Sequence, residues 1–135
     1  MNITLLIKDY KIQIVYDIVI VTVNILVATN RDAKPFWDVL ESKAILEWDK
    51  VIIDISACTF IDSTFMGIIV RVFKRITGNN GKLTLVYPKT KALLYLHTIG
   101  ITKFVDCYNT LRPAINSFDS EIPTRKISFE STSQL

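Results

Sequence analysis

The stretch Val51-Ile52-Ile53-Asp54-Ile55 restricts the fold more than any other part of the chain. It is a short apolar run without strict alternation, the mark of a strand covered on both faces. It leads through Ser56-Ala57-Cys58-Thr59-Phe60-Ile61-Asp62 into a segment of helical spacing. A strand buried on both sides needs a layer above and a layer below. The surrounding strand-helix-strand-helix order with short links therefore predicts an α/β domain with a partly parallel sheet.

The flanking sequence fits that frame. Ile12, Ile14 and Tyr16 alternate with polar residues, and Ile18 to Val23 is a β-branched run, so two strands are expected around a Tyr16-Asp17 turn. Residues 3–7 add a short strand before Lys8-Asp9. Asn30-Arg31-Asp32 opens a helix expected from about Lys34 to Trp48, with Pro35 in its first turn and Phe36, Trp37, Leu40, Ala44 and Trp48 on its inner face. Gly78-Asn79-Asn80-Gly81 stops the helix that follows Asp62. Lys82 to Tyr87 reads as a strand, and Pro88 turns into a further helix closed by Gly100. Ile101 to Tyr108 gives a last short strand before a helix from Asn109 to Phe118, making about four helices in all. The Ser/Thr-rich tail from Asp119 reads as loosely ordered, with its serines as ordinary surface residues.

Composition limits the function classes. At 135 residues the chain is about one domain. A mean hydropathy of +0.32 calls for a search for a membrane span. The longest nearly apolar run, Ile18 to Ala28, is broken by Thr22 and Asn24 and falls short of the ~20 residues a bilayer requires. No basic region precedes an apolar stretch at the N-terminus, so no signal peptide is expected and the protein reads as cytoplasmic. Sixteen Lys+Arg against thirteen Asp+Glu leave +3, too mild for a nucleic-acid surface. Cys58 and Cys107 show no metal-ligand or redox spacing, and a disulfide is not expected in such a compartment. The single histidine, His97, sits in an apolar stretch and reads as a half-buried structural residue. Neither a metal nor a cofactor is indicated.

The segment with chemistry is Phe60-Ile61-Asp62-Ser63-Thr64-Phe65-Met66-Gly67. Ser63 suits N-cap or first-turn duty, where its hydroxyl can accept a free backbone N–H. Asp62 puts a negative charge at the positive end of the helix dipole. On a helical wheel Met66, Ile69, Val70, Phe73 and Ile76 form the inner stripe. Phe65, Ile68 and Val72 widen it to roughly 200°, against the ~100° that one packing face requires. Arg71, Lys74 and Arg75 fill the polar side, with Ser63 and Gly67 near each other at its edge. A hydroxyl beside a residue without a side chain, flanked by cations, is a surface that another protein could approach closely. A phosphate on Ser63 would meet the helix N-terminus and crowd Asp62.

Together, Val51 to Thr64, the Asn80-Gly81-Lys82-Leu83-Thr84-Leu85-Val86 strand and the Leu96-His97-Thr98-Ile99-Gly100-Ile101 block resemble a STAS domain over about residues 10–118. The chain is similar to the single-domain anti-sigma factor antagonists of bacteria. The resemblance implies a STAS-like mixed β-sheet with an N-terminal hairpin, one domain over 1–118 and a tail over 119–135. It also implies a binding protein rather than an enzyme. The partner would be an anti-sigma factor that doubles as a serine kinase. The unphosphorylated antagonist binds it to release a sigma factor, the phosphorylated form lets go, and a PP2C-type phosphatase resets the switch. Carried onto this chain, Ser63 is the phospho-acceptor, with Thr64 as a second choice. Asp62, Ser63, Thr64, Phe65, Gly67, Ile68, Arg71 and Lys74 are expected at the partner surface.

This sequence departs from the family pattern in two places. Phe65-Met66-Gly67 stands where the motif usually continues Gly-Leu-Gly, putting a bulky side chain at a position the family leaves open. The stretch Asn24 to Asn30 lacks the Gly and Asp common in the family's first loop, so Asn24 and Asn30 receive no role. Two other classes compete. For a receiver domain or hydrolase this sequence lacks the acidic cluster, the G-x-S-x-G elbow and the phosphate loop, and Asp54 reads as a strand-end residue bonding nearby backbone. The other is a non-switching STAS module, a scaffold in a transport or stress-sensing complex. Nothing in the sequence sets the oligomeric state.

Overall fold

The computed structural model describes residues 3–87 and 100–119. Two consecutive hairpins build its N-terminal part. β1 (Ile3–Ile7) pairs antiparallel with β2 (Tyr10–Val15), which pairs antiparallel with β3 (Ile18–Val23). Both turns are two residues long, and each has a residue at positive φ, Lys8 and Tyr16, as tight hairpin turns need. The short strand expected over 3–7 and the Tyr16-Asp17 turn are both present.

From β3 the sheet becomes parallel. β3 pairs with β5 (Lys50–Asp54), β5 with β7 (Lys82–Val86), and β7 with β8 (Asp106–Tyr108), giving the order β1-β2-β3-β5-β7-β8. Two helices, α1 (Asn30–Ser42) and α2 (Ser63–Gly78), pack on one face and α3 (Leu111–Asp119) on the other. Successive residues of β5 divide between the two layers. Val51 and Ile53 join the core under α1 and α2, while Ile52 joins the cluster with Ala114 and Phe118 of α3. That is the doubly covered strand expected from its composition. Asp54, at the end of β5, accepts the Ser56 N–H at 2.9 Å, as a strand-end residue.

α1 is displaced from its expected span of 34–48. The Asp32 carboxylate reaches back to accept the Thr29 N–H at 2.9 Å, which starts the helix at Asn30. Pro35 consequently lies inside the helix rather than in its first turn, and leaves the Arg31 carbonyl without its intrahelical donor. The far end stops at Ser42, because Ala44 turns left-handed (φ 55°) into a single 3-10 turn, Ile45–Glu47. This turn buries Ile45 and Leu46 side by side. Ala44 is therefore exposed and Trp48 half-buried, and neither lies on the helix.

The strand expected over 101–108 is shorter than predicted. Ile101–Lys103 is a 3-10 turn after Gly100 (φ 78°), and only Asp106–Tyr108 pairs with β7. Three α-helices lie among the described residues. The further helix expected between Pro88 and Gly100, with His97, and the tail beyond Asp119 fall outside them.

Candidate functional site

A second, very small sheet organises the site. β4 (Val27–Ala28) pairs parallel with β6 (Phe60–Ile61), bringing the loop after β3 against the segment leading into α2. The Leu26 carbonyl accepts the Thr59 N–H (2.7 Å), the Phe60 N–H (3.2 Å) and the Thr59 hydroxyl (2.9 Å). The Asp62 N–H donates to the Ala28 carbonyl at 3.0 Å. Two loops that are 33 residues apart in sequence are thus closed into one surface.

Asp62 is the hub of that surface. It is the N-cap of α2: its Oδ1 accepts the Phe65 N–H at 2.8 Å. Its Oδ2 accepts the Asn30 N–H, the first of α1, also at 2.8 Å. One carboxylate therefore holds the N-termini of both helices, where the partial positive charges of their backbones favour an anion. Capping falls to Asp62, not Ser63. Ser63 occupies the first helical position and points outward, its hydroxyl making no hydrogen bond within the described residues. Asn30, given no role from sequence, supplies the second half of this junction.

Along α2 the exposed side carries Ser63, Thr64, Gly67, Arg71 and Lys74. A Cβ built on Gly67 meets nothing within 4 Å, so the fold itself does not require a glycine there. The Arg71 guanidinium lies 4.3 Å from the ring centroid of Trp37 on α1, a cation–π contact that draws it across the groove between the helices. Arg75 pairs with Glu47 at 3.4 Å. Of the three cations expected beside the docking face, Lys74 extends freely into solvent, while the other two reach across to neighbouring elements. Ile68 is half-buried beside Trp37, in an open groove of about 520 Å³.

Phe65 is not where the sequence reading placed it. Its side chain is 0 % exposed and stacks on Phe36, ring centroids 5.2 Å apart, with Tyr10 on the far side of Phe36. The Asp62 cap sets the helical phase so that the third residue of α2 faces the sheet, and the ring fills the core instead of lining the surface. The wide apolar arc of α2 is accounted for in the same way. Phe65, Met66, Ile69, Val72 and Ile76 are buried, and Ile68, Val70 and Phe73 are partly so.

The exposed apolar groups near Ser63 are residues to which the sequence assigns no surface role. Val27 and Phe60 are paired neighbours in the small sheet, 50 % and 53 % exposed, and Leu26 next to them is 66 % exposed. The signal was available as two aliphatics after β3 and an aromatic before Asp62. Only the register between β4 and β6 makes them one patch.

The thiols are chemically quiet. Cys58 is buried in the core, and burial, reinforced by Asp54 and Asp32, pushes its pKa up to about 12. Burial likewise raises Cys107 to about 11. Among the described residues no cluster of His, Cys, Asp or Glu could hold a metal ion, and no helix is long and apolar enough to cross a membrane.

The model of one protein family, described as the STAS domain, matches residues 11–114. The fold is similar to that of a proposed anti-sigma factor antagonist from Thermotoga maritima, at 26 % identity and a TM-score of 0.74, covering 80 % of this chain and 92 % of that one. It is also similar to an anti-sigma factor antagonist from Mycobacterium paratuberculosis, with 18 % identity, a TM-score of 0.68 and coverage of 87 % and 93 %. The unphosphorylated form of the anti-sigma factor antagonist SpoIIAA shares the fold at 10 % identity and a TM-score of 0.56, covering 84 % of this chain and 99 % of that one. No curated protein matches the chain in a sequence search.

Proposed function

Since the chain belongs to the STAS-domain family, we propose that it acts as an anti-sigma factor antagonist whose binding is switched at Ser63. The observation that carries the reading is the position of Ser63. Ser63 is exposed at the start of α2, directly after the capping Asp62, three residues after the exposed Phe60 and four before the side-chain-free Gly67. In this reading the unmodified surface docks on an anti-sigma factor, which releases its sigma factor. The apolar patch supplies buried area, Gly67 permits close approach, and Asp62, Ser63, Thr64, Ile68, Arg71 and Lys74 provide the surrounding contacts. Phe65 serves by holding α2 in place and makes no contact with the partner.

The switch follows from electrostatics. The partner, acting as a serine kinase, transfers the γ-phosphoryl group of ATP to the Ser63 oxygen, with loss of the hydroxyl proton and release of ADP. The phosphate adds about −1.5 to −2 charge. It lands beside Asp62, whose carboxylate already occupies the N–H groups of Phe65 and Asn30. Like-charge repulsion and the desolvation of a dianion then oppose docking. A PP2C-type phosphatase restores the hydroxyl by hydrolysis. The role is that of a binding protein that is modified, not of a catalyst.

Intact-mass measurement after incubation with ATP and the cognate anti-sigma factor tests this. One phosphate is expected, absent from Ser63→Ala, with Ser63→Asp losing affinity for the partner. Absence of modification, together with binding insensitive to Ser63→Asp, would overturn the switch and leave a scaffold module. Modification at Thr64 instead would move the acceptor by one residue.

A further inference from the structure

Strand β1 borders the main sheet, and among the described residues no strand pairs with its outer side. The two-residue Lys8–Asp9 turn makes Ile7–Tyr10 the closing, hydrogen-bonded pair of the first hairpin. Alternation from there directs the backbone groups of Ile3, Leu5 and Ile7 to β2 and those of Thr4 and Leu6 outward. Edges of this kind are normally blunted by a charge, a proline or a bulge. Ile-Thr-Leu-Leu-Ile has none of these. Ile3, Leu5 and Leu6 are 55 %, 42 % and 72 % exposed. Ile3 and Leu5 also form the open flank of a mostly apolar groove backed by Ile12, Ile14 and Trp48, with the exposed Lys43 on its lining.

The segment is its own complement. Turned about a two-fold axis through Leu5, Ile3 of one copy faces Ile7 of the other and Leu5 faces Leu5. Thr4 faces Leu6, so the outward N–H and C=O groups meet in two hydrogen-bonded pairs. The aliphatic row Val21–Ile12–Leu5 then continues unbroken across the axis into the second copy. Charge agrees with this pairing, because five uncharged residues meet five uncharged residues. The nearest cations are Lys8, just after β1, and Lys11 on β2. They stay ~20 Å and ~14 Å from their mates, beyond a Debye length of ~8 Å. We propose that β1 is a homotypic edge through which two copies of this chain join antiparallel about Leu5 into one continuous sheet. The exposed parts of three aliphatic side chains per copy fall well below the ~1,200 Å² of total surface that stable interfaces bury. The association is therefore weak and depends on concentration.

This proposal rests on β1 alone and stands whether or not Ser63 is a switch. It is tested with the full chain carrying Cys107→Ser and a cysteine at one β1 position. Centred pairing brings the two residues at position 5 to a Cα separation of ~4.5 Å, within reach of a disulfide. Residues at position 3 stay ~14 Å apart along the strands. Leu5→Cys should therefore cross-link readily under mild oxidation and Ile3→Cys should not, while a mixture of Ile3→Cys and Ile7→Cys should give a mixed dimer. In sedimentation equilibrium Leu6→Lys should weaken self-association about tenfold without changing the far-ultraviolet circular dichroism. A monomer at every concentration reached would overturn the proposal, as would cross-linking that is equal at positions 3 and 5.

Discussion

Gly67 and Gly81 stand near opposite ends of α2 in opposite surroundings. Around Gly67 there is open space: a Cβ there would touch nothing within 4 Å. Around Gly81 there is none, since a Cβ would lie 2.8 Å from Ile76 Cγ2 and 3.1 Å from the carbonyl oxygens of Ile76 and Asp49. At the second position the fold accounts for the glycine. The chain leaves α2 through Asn80 at φ 65° and must pass close over the last turn, with the Gly81 N–H donating to the Ile76 carbonyl at 2.9 Å, to enter β7. At the first position the fold offers no reason, and a mid-helix glycine is less stable than alanine by roughly 0.5–1 kcal/mol. One end of the helix is shaped by the molecule's own packing. The other is open to solvent, on the side where docking is proposed.

The contrast can be tested by substitution. Phe65→Ala should have the largest effect, about 3–5 kcal/mol of lost stability in urea unfolding, because it removes the ring stacked on Phe36. A change under about 1 kcal/mol, accompanied by loss of partner affinity, would instead return Phe65 to the surface and break the division between core and docking side within that turn. Gly81→Ala should come next, lowering stability by about 1–3 kcal/mol as the crowded corner shifts. Asp62→Ala should cost about 0.5–2 kcal/mol, the range for an N-cap, and hydrogen exchange should quicken at the first turns of both α1 and α2. Quickening in α2 alone would show that the Asn30 contact is incidental. Gly67→Ala should be smallest and opposite in sign, a gain of up to about 1 kcal/mol, with weaker binding to the anti-sigma factor. A stabilised variant that binds unchanged would remove the docking argument from Gly67.

The same contrast separates what the sequence made legible from what it did not. β5 could be read because burial on both faces dictates its composition, and the stop of α2 because Gly78-Asn79-Asn80-Gly81 is local chemistry. Asp62 at a helix start was legible for the same reason. Its second bond, to the Asn30 N–H, was not, since it joins residues 32 positions apart. Nor was the depth of Phe65. A wheel gives relative angles around α2, but which angle faces the sheet depends on how Asp62 seats the helix. The early end of α1 escaped because Ala44 adopts a left-handed turn that nothing in Lys43-Ala44-Ile45 announces. Local signals carried the elements, and contacts distant in sequence decided the site.

The ladder between β4 and β6, only two residues on each strand, carries a consequence of its own. Its bonds from Leu26 and Ala28 fix the exposed Val27 and Phe60 before any partner arrives. Binding at this surface would thus begin from a shape already set, with little backbone entropy left to lose. Affinity would vary chiefly through the rate of departure rather than the rate of arrival. A loop that folded only on contact would do the reverse.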